Sequence, residues 1–590
     1  MQLPISFYPP LSTYAGRIDA LPELPEPIYG IDTEHRGLGR DALLSGIAIA
    51  GCHEEWYLPT GHAEGPNHQL ETVRRWAHEH LAGKHLIFRE AKNDIEVLRR
   101  SGIDVEVLGC VPHEIQHAAA LLDDSRRKFT LEALMQDRLK RGKVPIDYPI
   151  ETTWEQPAVR VAPYARGDAR GTYDLHLAYA ADIEKEGMTE LLELEDGLIY
   201  CVLGMQNEMC YLDVPKLDRW IGEVRQEHAM RVMELYRRTG LRINPDSPQD
   251  VAKLFKYMGM KFFETADGNP SFGDPFLQRH IDVPEVRCIV EGRDLSSLLS
   301  KYLLKYRNAL LPGGKLPYLL HQLRADDYGT ITGRFASSKI NIQQVFKPDK
   351  QAVTSPVTMP WIVRELFIES EDRGHLIMRF TVHDEVNGGL HGKWLHSDAS
   401  QIEYRLFAHF SCVPKPHTMR LIDAYHDNPT LSYHKWVHKE LLKERMIYSH
   451  AKNFNFMKLY GGGVEKVMAM CSCDRPEAEK LSKLYDREVP EASRLLWFCN
   501  DLAEQRGYIK TILNRRRRYH PGDRYYSALN SVLQGSAADL MKLKLRRLYD
   551  ERRNIKTMKD AEECYAIQEF DLRVPITWEL ALGNNWKETC

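Results

Sequence analysis

Asp32 and Glu34 stand two residues apart in IYGIDTE, a run whose aromatic and β-branched residues predict a strand. A strand's period of two puts both carboxylates on one face, where they can share a hard divalent cation. Asp94 follows in FREAKNDIEVL, at the start of a helix-like segment, and Tyr164 and Asp168 follow in YARGDAR. Farther on, Lys452, Phe456 and Tyr460 recur at i, i+4 and i+8 in HAKNFNFMKLYGGG, on one stripe of a helix. The aromatics alone read as core. A lysine on the same stripe is costly in a core and suits a triphosphate, which takes a compact cation. Arg515 to Arg518 form a run of arginines that reads either as solvated surface or as a local basic patch.

Several elements must position these groups. Three strand-like runs come early: IYGIDTE behind the stiff PELPEP entry near 22–28, then LSGIAIAG, then EEWYL. From about 170 to 260 the pattern turns helical, with TELLELEDGLIYCVLGMQNEM and RWIGEVRQEHAMRVMELYRRTG, the latter stopped by Gly240. Loops rich in Gly and Pro near 266–275 and 312–317 interrupt the chain beyond it, and strands and helices then mix to the end. At about 150 residues per domain, 590 residues predict roughly four units. A content of 43% hydrophobic and 27% charged residues is that of a globular protein, with no apolar run long enough to cross a bilayer. The N-terminus carries no secretory pattern, so a cytoplasmic location is expected, the host's if the source is viral. The 11 cysteines are expected to be reduced thiols; Cys471 and Cys473 have the wrong spacing for a metal knuckle. A net charge of −4 excludes a globally basic nucleic-acid binder, so basic surface must be local.

In order and separation, the segments around Asp32 and Glu34, around Asp94, and around Tyr164 and Asp168 resemble the three motifs of DnaQ-like 3′→5′ exonucleases, whose fold is similar to ribonuclease H. The resemblance implies Asp32, Glu34, Asp94 and Asp168 as ligands of two Mg²⁺ ions, for which Mn²⁺ can substitute, with Tyr164 orienting the attacking water. That family usually has Asn four residues before the middle aspartate. Here Glu90 stands in its place, a fifth acid that bears on metal occupancy.

HSDASQIEYRLFAHFS at 396–411 looks like motif A of the family A polymerases, the DNA polymerase I family. That implies Asp398 as a metal ligand and Glu403 as the group against the sugar of the incoming nucleotide, excluding a 2′-hydroxyl. HAKNFNFMKLYGGG resembles motif B, implying Lys452 on the nucleotide phosphates, Phe456 on the sugar and Tyr460 closing over the templating base. Tyr448 stands where the family usually has Arg, with Arg445 one turn away as the substitute. TGRFASSKINIQQV at 332–345, RGYIKTILNRRRR at 506–518 and LNSVLQGSAADLMK at 529–542 are similar to further family segments. They imply Arg334, Asn341, Gln343, Asn530, Gln534, Arg515 and Arg516 as DNA contacts reading duplex shape and minor-groove acceptors. Tyr526 occupies the usual place of an Arg before the asparagine.

The family's His-Asp-Glu triplet belongs between that last helix and the C-terminus, where this chain has RRLYDERRNIKTMKDAEECYAIQ and the closing PITWELALGNNWKE. The triplet occurs instead as His383, Asp384 and Glu385 in LIMRFTVHDEVNGGL at 376–390, directly before motif A. The expectation is a hairpin transposed in sequence yet paired beside the motif A strand, since a metal senses oxygen positions and not chain order. Asp384 would then be the second metal ligand, with Glu385 and His383 near the primer end. The alternative is a chance match in an insertion.

The implied fold class is multidomain α/β: a ribonuclease H-like exonuclease at 1–186, a helical thumb at 187–325, a palm with an antiparallel sheet at 326–411 and 521–590, and helical fingers at 412–520. The implied function is template-directed DNA synthesis with proofreading, replicative and of phage type. Its partners would be primer-template DNA and deoxynucleoside triphosphates, with a processivity factor, helicase or primase as further candidates and no membrane. Two other functions compete: an exonuclease with an inert polymerase half, and a repair or translesion polymerase without proofreading.

Overall fold

The computed structural model describes residues 20–345 except 38 and 327, then 356–368, 394–411, and 420–589 except 472, 556 and 584. Strand β1 (Ile28–Arg36) is the centre of a five-stranded sheet of order β3-β2-β1-β4-β5. Strands β2 (Leu43–Ala50) and β3 (Glu55–Pro59) continue it antiparallel, whereas β4 (His85–Phe88) and β5 (Val111–Glu114) are parallel to β1. The three strands expected from the sequence are thus neighbours in one sheet.

Both faces of this sheet are covered. Tyr29, Ile31, Ile47 and Ile49 pack with residues of α1 (Leu70–His80) and α2 (Ala91–Arg100) in one core. The alternate residues Ala48, Ala50, Tyr57 and Ile87 pack with α3 (Ile115–Leu122), α4 (Leu131–Arg138) and α5 (Ala158–Lys185) in the other. Period-two alternation of apolar side chains on a sheet buried on both faces produces these two cores. Gly30 fixes how closely α5 approaches, because a Cβ there would lie 2.5 Å from the Ala169 carbonyl oxygen.

The helical run at 189–208 is two helices, α6 (Thr189–Gly197) and α7 (Ile199–Glu208), which meet next to Gly197. Their Leu194, Leu198, Ile199 and Leu203 lie in the α1–α2 core of the sheet, although the thumb was expected from 187. Helix α8 (Val214–Thr239) stops at Gly240 with φ 69°, the left-handed cap the sequence announced.

In the remainder, β6 (Trp394–Ala399) pairs antiparallel with a strand near the C-terminus, β9 (Trp578–Gly583). Helices α9 (Ile402–Phe410), α10 (Tyr448–Leu459) and α11 (Ala528–Glu551) share one large core containing Tyr404, Phe407, Phe454, Leu529 and Leu533. Strands β7 (Tyr508–Lys510) and β8 (Arg516–Arg518) form a hairpin packed near α11. Helix α11 reaches back so that Tyr549 enters the core beside α2 and donates to Glu106. Among the described residues, no helix is long and apolar enough to cross a membrane.

Candidate active sites

The close approach at Gly30 brings the α5 face of β1 up to Ala169 and its neighbour Asp168. Asp32 and Glu34 share that face with Gly30, and the strand register shifts just after Glu34, a bulge of the kind that re-aims side chains. Asp94 arrives from the other side of the strand. Its Oδ1 accepts a 2.7 Å hydrogen bond from Thr33, and α2 begins only three residues earlier.

This crowding has a clear electrostatic signature. Burial, then Asp168, Asp94 and Glu34, push Asp32 well above the usual carboxylate range. Burial and Asp168 raise Glu34 to about 7, and burial raises Asp94 and Asp168 as well. Tyr164, one turn before Asp168, is pushed up by burial and by the same acids, so its hydroxyl stays protonated. Two buried oxygens, Asp94 Oδ2 and Asp168 Oδ1, have no hydrogen-bond partner. Unsatisfied buried carboxylate oxygens among other acids are what hard cations neutralise, so the donor set suits divalent magnesium. Among the described residues, no three Asp, Glu, His or Cys side chains are gathered closely enough as they stand to hold one ion.

A residue that sequence reasoning missed lies inside the cluster. The Lys143 ammonium is 2.5 Å from Asp168 Oδ2 and donates to the Tyr164 hydroxyl at 2.8 Å. Its charge lowers the proton affinity of Asp32 and Glu34 as well. Lys143 sits in a stretch without strand or helix periodicity, so no pattern marks it.

The second constellation is more exposed. Asp398 is exposed on β6, opposite Glu579 of β9. Four residues of its neighbourhood join by side-chain contacts: Arg334 Nη2 donates to Glu403 Oε1 at 2.6 Å, the Tyr460 hydroxyl donates to Glu403 Oε2, and Gln534 reaches Tyr460. Glu403, in the first turn of α9, thus accepts on both carboxylate oxygens. Lys452 and Phe456 are exposed on α10, as the stripe expected, while Tyr460 caps that helix. Phe456 packs against Tyr404 and His434, ring centroids 5.6 and 4.9 Å away. Burial and Lys452 lower His434 to about 4, so it stays neutral and accepts from Asn455, itself held by Tyr485. This buried Tyr404, His434, Asn455 and Tyr485 support was not legible, because its members come from separate segments.

Other expected residues fall in different settings. Asn341 caps a short turn by accepting from the Gln343 backbone, and Gln343 is exposed. Asn530 and Gln534 lie one turn apart on α11, with the Asn530 Oδ1 buried and unpartnered. Tyr448 packs edge-on against His438, ring centroids 5.5 Å apart, and Arg445 lies 3.5 Å from Glu488. His383, Asp384 and Glu385 lie outside the described residues.

Arg515 and Arg516, expected as DNA contacts, lie among protein carboxylates. Arg515 is 4% exposed, with Asp539 and Glu195 each within 3 Å of its guanidinium, and Lys542 meets the same Glu195 at 2.7 Å. Arg516 and Arg518 pair with Glu186, and Arg517 with Asp124. The arginine run joins the C-terminal part to the sheet unit. Burial alone would raise Glu195, but Lys542 and Arg515 outweigh it and hold the carboxyl below its usual value.

The fold is similar to the solved POL domain of Pol1 from M. smegmatis, determined in complex with DNA primer-template and dNTP, with a TM-score of 0.76 at 19% identity over 95% of this chain and 96% of that one. With the family match over more than half of the chain, this fold is that of a DNA-directed DNA polymerase. More particularly, the sequence profile of DNA polymerase family A matches residues 215–561, and the chain belongs to that family. It is 25% identical to "DNA polymerase DpoZ" of Acinetobacter phage SH-Ab 15497, over 89% of this chain and 88% of that protein. It is 23% identical to a "DNA-directed DNA polymerase" of Pseudomonas phage M6, over 90% and 87% of the two chains.

Proposed function

We propose that the chain is a replicative phage DNA polymerase that also proofreads, running synthesis and 3′→5′ excision at separate acidic sites. Beyond family membership, the observation that carries this reading is the pair of buried, unpartnered oxygens on Asp94 and Asp168 beside Asp32 and Glu34. The sheet order, three antiparallel strands followed by two parallel ones, accords with the ribonuclease H-like exonuclease expected at 1–186. The remaining expected units, thumb 187–325, palm 326–411 with 521–590, and fingers 412–520, are part of the same proposal.

At the excision site, Asp32, Glu34, Asp94 and Asp168 would hold magnesium, and Tyr164 would orient the attacking water. At the synthesis site Asp398 would be joined by Asp384. Bound magnesium lowers the pKa of the attacking hydroxyl or water and neutralises charge on the leaving oxygen. Lys452 would bind the triphosphate of a deoxynucleotide, Phe456 its sugar, and Glu403 would fill the space of a 2′-hydroxyl. Tyr460 would close over the templating base, with Asn530 and Gln534 along the minor groove of primer-template DNA.

Primer extension with magnesium and all four deoxynucleotides, on paired and on 3′-mismatched primers, tests the reading. The expected result is extension of both, with the mismatched nucleotide removed first. Extension of paired primers with mismatched ends left intact would leave a polymerase without proofreading.

A further inference from the structure

The acidic cluster contains a positive charge of its own. Lys143 lies between α4 and α5 in a segment fitted closely to its surroundings. The Lys143 backbone N–H donates to Glu132 Oε2 at 2.6 Å, and a Cβ on Gly142 would meet Glu132 Oε1 at 2.7 Å. On the facing helix, a Cβ on Gly167 would meet Val144 Cγ2 at 2.7 Å. Glycines at both contacts let the segment lie against α5 beside Asp168. From there the lysine crosses the Tyr164 ring, Nζ 4.6 Å from its centroid, and its ammonium meets both the Tyr164 hydroxyl and Asp168 Oδ2. The lysine side chain is 23% exposed and that of Asp168 4%, so the pair is held in a low dielectric, unlike a surface ion pair. Asp168 is thereby divided: Oδ2 is taken, and Oδ1 is buried without a partner.

Resting on the excision reading above, we propose that Lys143 is a positioning residue and built-in counter-cation of the excision site. It fixes Tyr164 and Asp168 Oδ2, leaves Asp168 Oδ1 to face an incoming divalent ion, and by its like charge keeps that ion's affinity low. The cluster can therefore fold before any metal arrives, and excision requires more free metal than the carboxylates alone would demand. A lysine suits this role because its compact ammonium supplies several donors from one point charge.

Manganese binding to the full chain, followed by titration calorimetry in an Asp398→Ala background, leaves the excision carboxylates to report. Lys143→Gln is expected to raise the affinity about tenfold, since one like charge has left a low-dielectric neighbourhood. Lys143→Arg keeps the charge and should stay within about twofold of the parent. Melting supplies a second readout: Lys143→Gln should lose stability in metal-free buffer and recover it with manganese. Unchanged or weaker manganese binding, with the same stability loss in both buffers, would mean that Lys143 only packs its segment and would overturn the proposal. Asp32→Ala in the same background separates the two levels. If it leaves manganese binding intact, the excision reading falls and the proposal with it; if it removes binding that Lys143→Gln does not change, the proposal alone falls.

Discussion

The two acidic regions are built by opposite means. Around Asp32, Glu34, Asp94 and Asp168 the acids are buried between a central strand and its covering helices, their proton affinities are raised, and Lys143 sits among them. Around Asp398 the carboxylate is exposed on a short strand, and order comes from contacts among Arg334, Glu403, Tyr460 and Gln534, drawn from four separate segments. A preformed acidic site in low dielectric must carry its own countercharge. An exposed region needs no such burial, and hydrogen bonds can fix its side chains instead.

The largest effects should separate the regions completely. Asp32→Ala is expected to lower mismatch excision on the order of 10³-fold or more while primer extension persists, and Asp398→Ala to do the reverse. Gel-resolved extension and excision rates on one primer check both. A single substitution that removes both activities would break the comparison, because the regions would then be one functional unit.

The junction between them comes next in size. Arg515 is buried against Glu195 and Asp539, and removing one partner of such a cluster leaves uncompensated charge, with a loss of about 3–5 kcal/mol. Arg515→Ala should therefore lower the melting temperature strongly. Arg516→Ala, at a less deeply buried pair with Glu186, should cost less than Arg515→Ala. A primer-template affinity that falls equally for both, with melting unchanged, would return the arginine run to DNA binding.

That run also marks where sequence reading stops. Four consecutive arginines state a charge but not its partners, and Asp124, Glu186 and Glu195 lie more than 300 residues away in the chain. The same holds for Lys143, whose segment has no periodicity, and for Arg334 with Glu403, joined only by the fold. The legible part came from local rules. Period-two alternation put Asp32 and Glu34 on one face of β1, helical spacing exposed Lys452 and Phe456 together, and Gly240 ended α8.

Titration sharpens the contrast at the buried site. Glu34 is raised from 4.5 to about 7, so between those values the folded chain keeps a proton that the unfolded chain has released. The stability it contributes is full below about 4.5 and is lost as pH rises towards 7. Glu34→Gln should therefore match the parent at acidic pH and exceed it by up to about 3 kcal/mol near pH 8 without metal. Paired denaturation curves across that range measure the difference, which cancels the histidines common to both proteins. A difference that does not vary with pH would mean the carboxyl is not held in low dielectric.

The smallest effect compares the two helices that carry the acids. Each begins at a non-glycine residue in the left-handed region: Glu90, φ 70°, before α2 with Asp94, and Gln401, φ 51°, before α9 with Glu403. Gln401 is compensated, because its amide donates to the Leu431 carbonyl at 2.8 Å and accepts from the Tyr433 N–H at 2.7 Å. The Glu90 side chain is half exposed and pairs with the adjacent Arg89, so little offsets its backbone strain. Asn tolerates that conformation better than Glu. Glu90→Asn should thus stabilise the protein by roughly 0.5–1 kcal/mol, whereas Gln401→Asn, one methylene too short for both contacts, should destabilise it by about 1 kcal/mol. Opposite signs in thermal melts would establish that strain is offset before α9 and retained before α2. Equal signs would show that the two caps respond to one shared constraint.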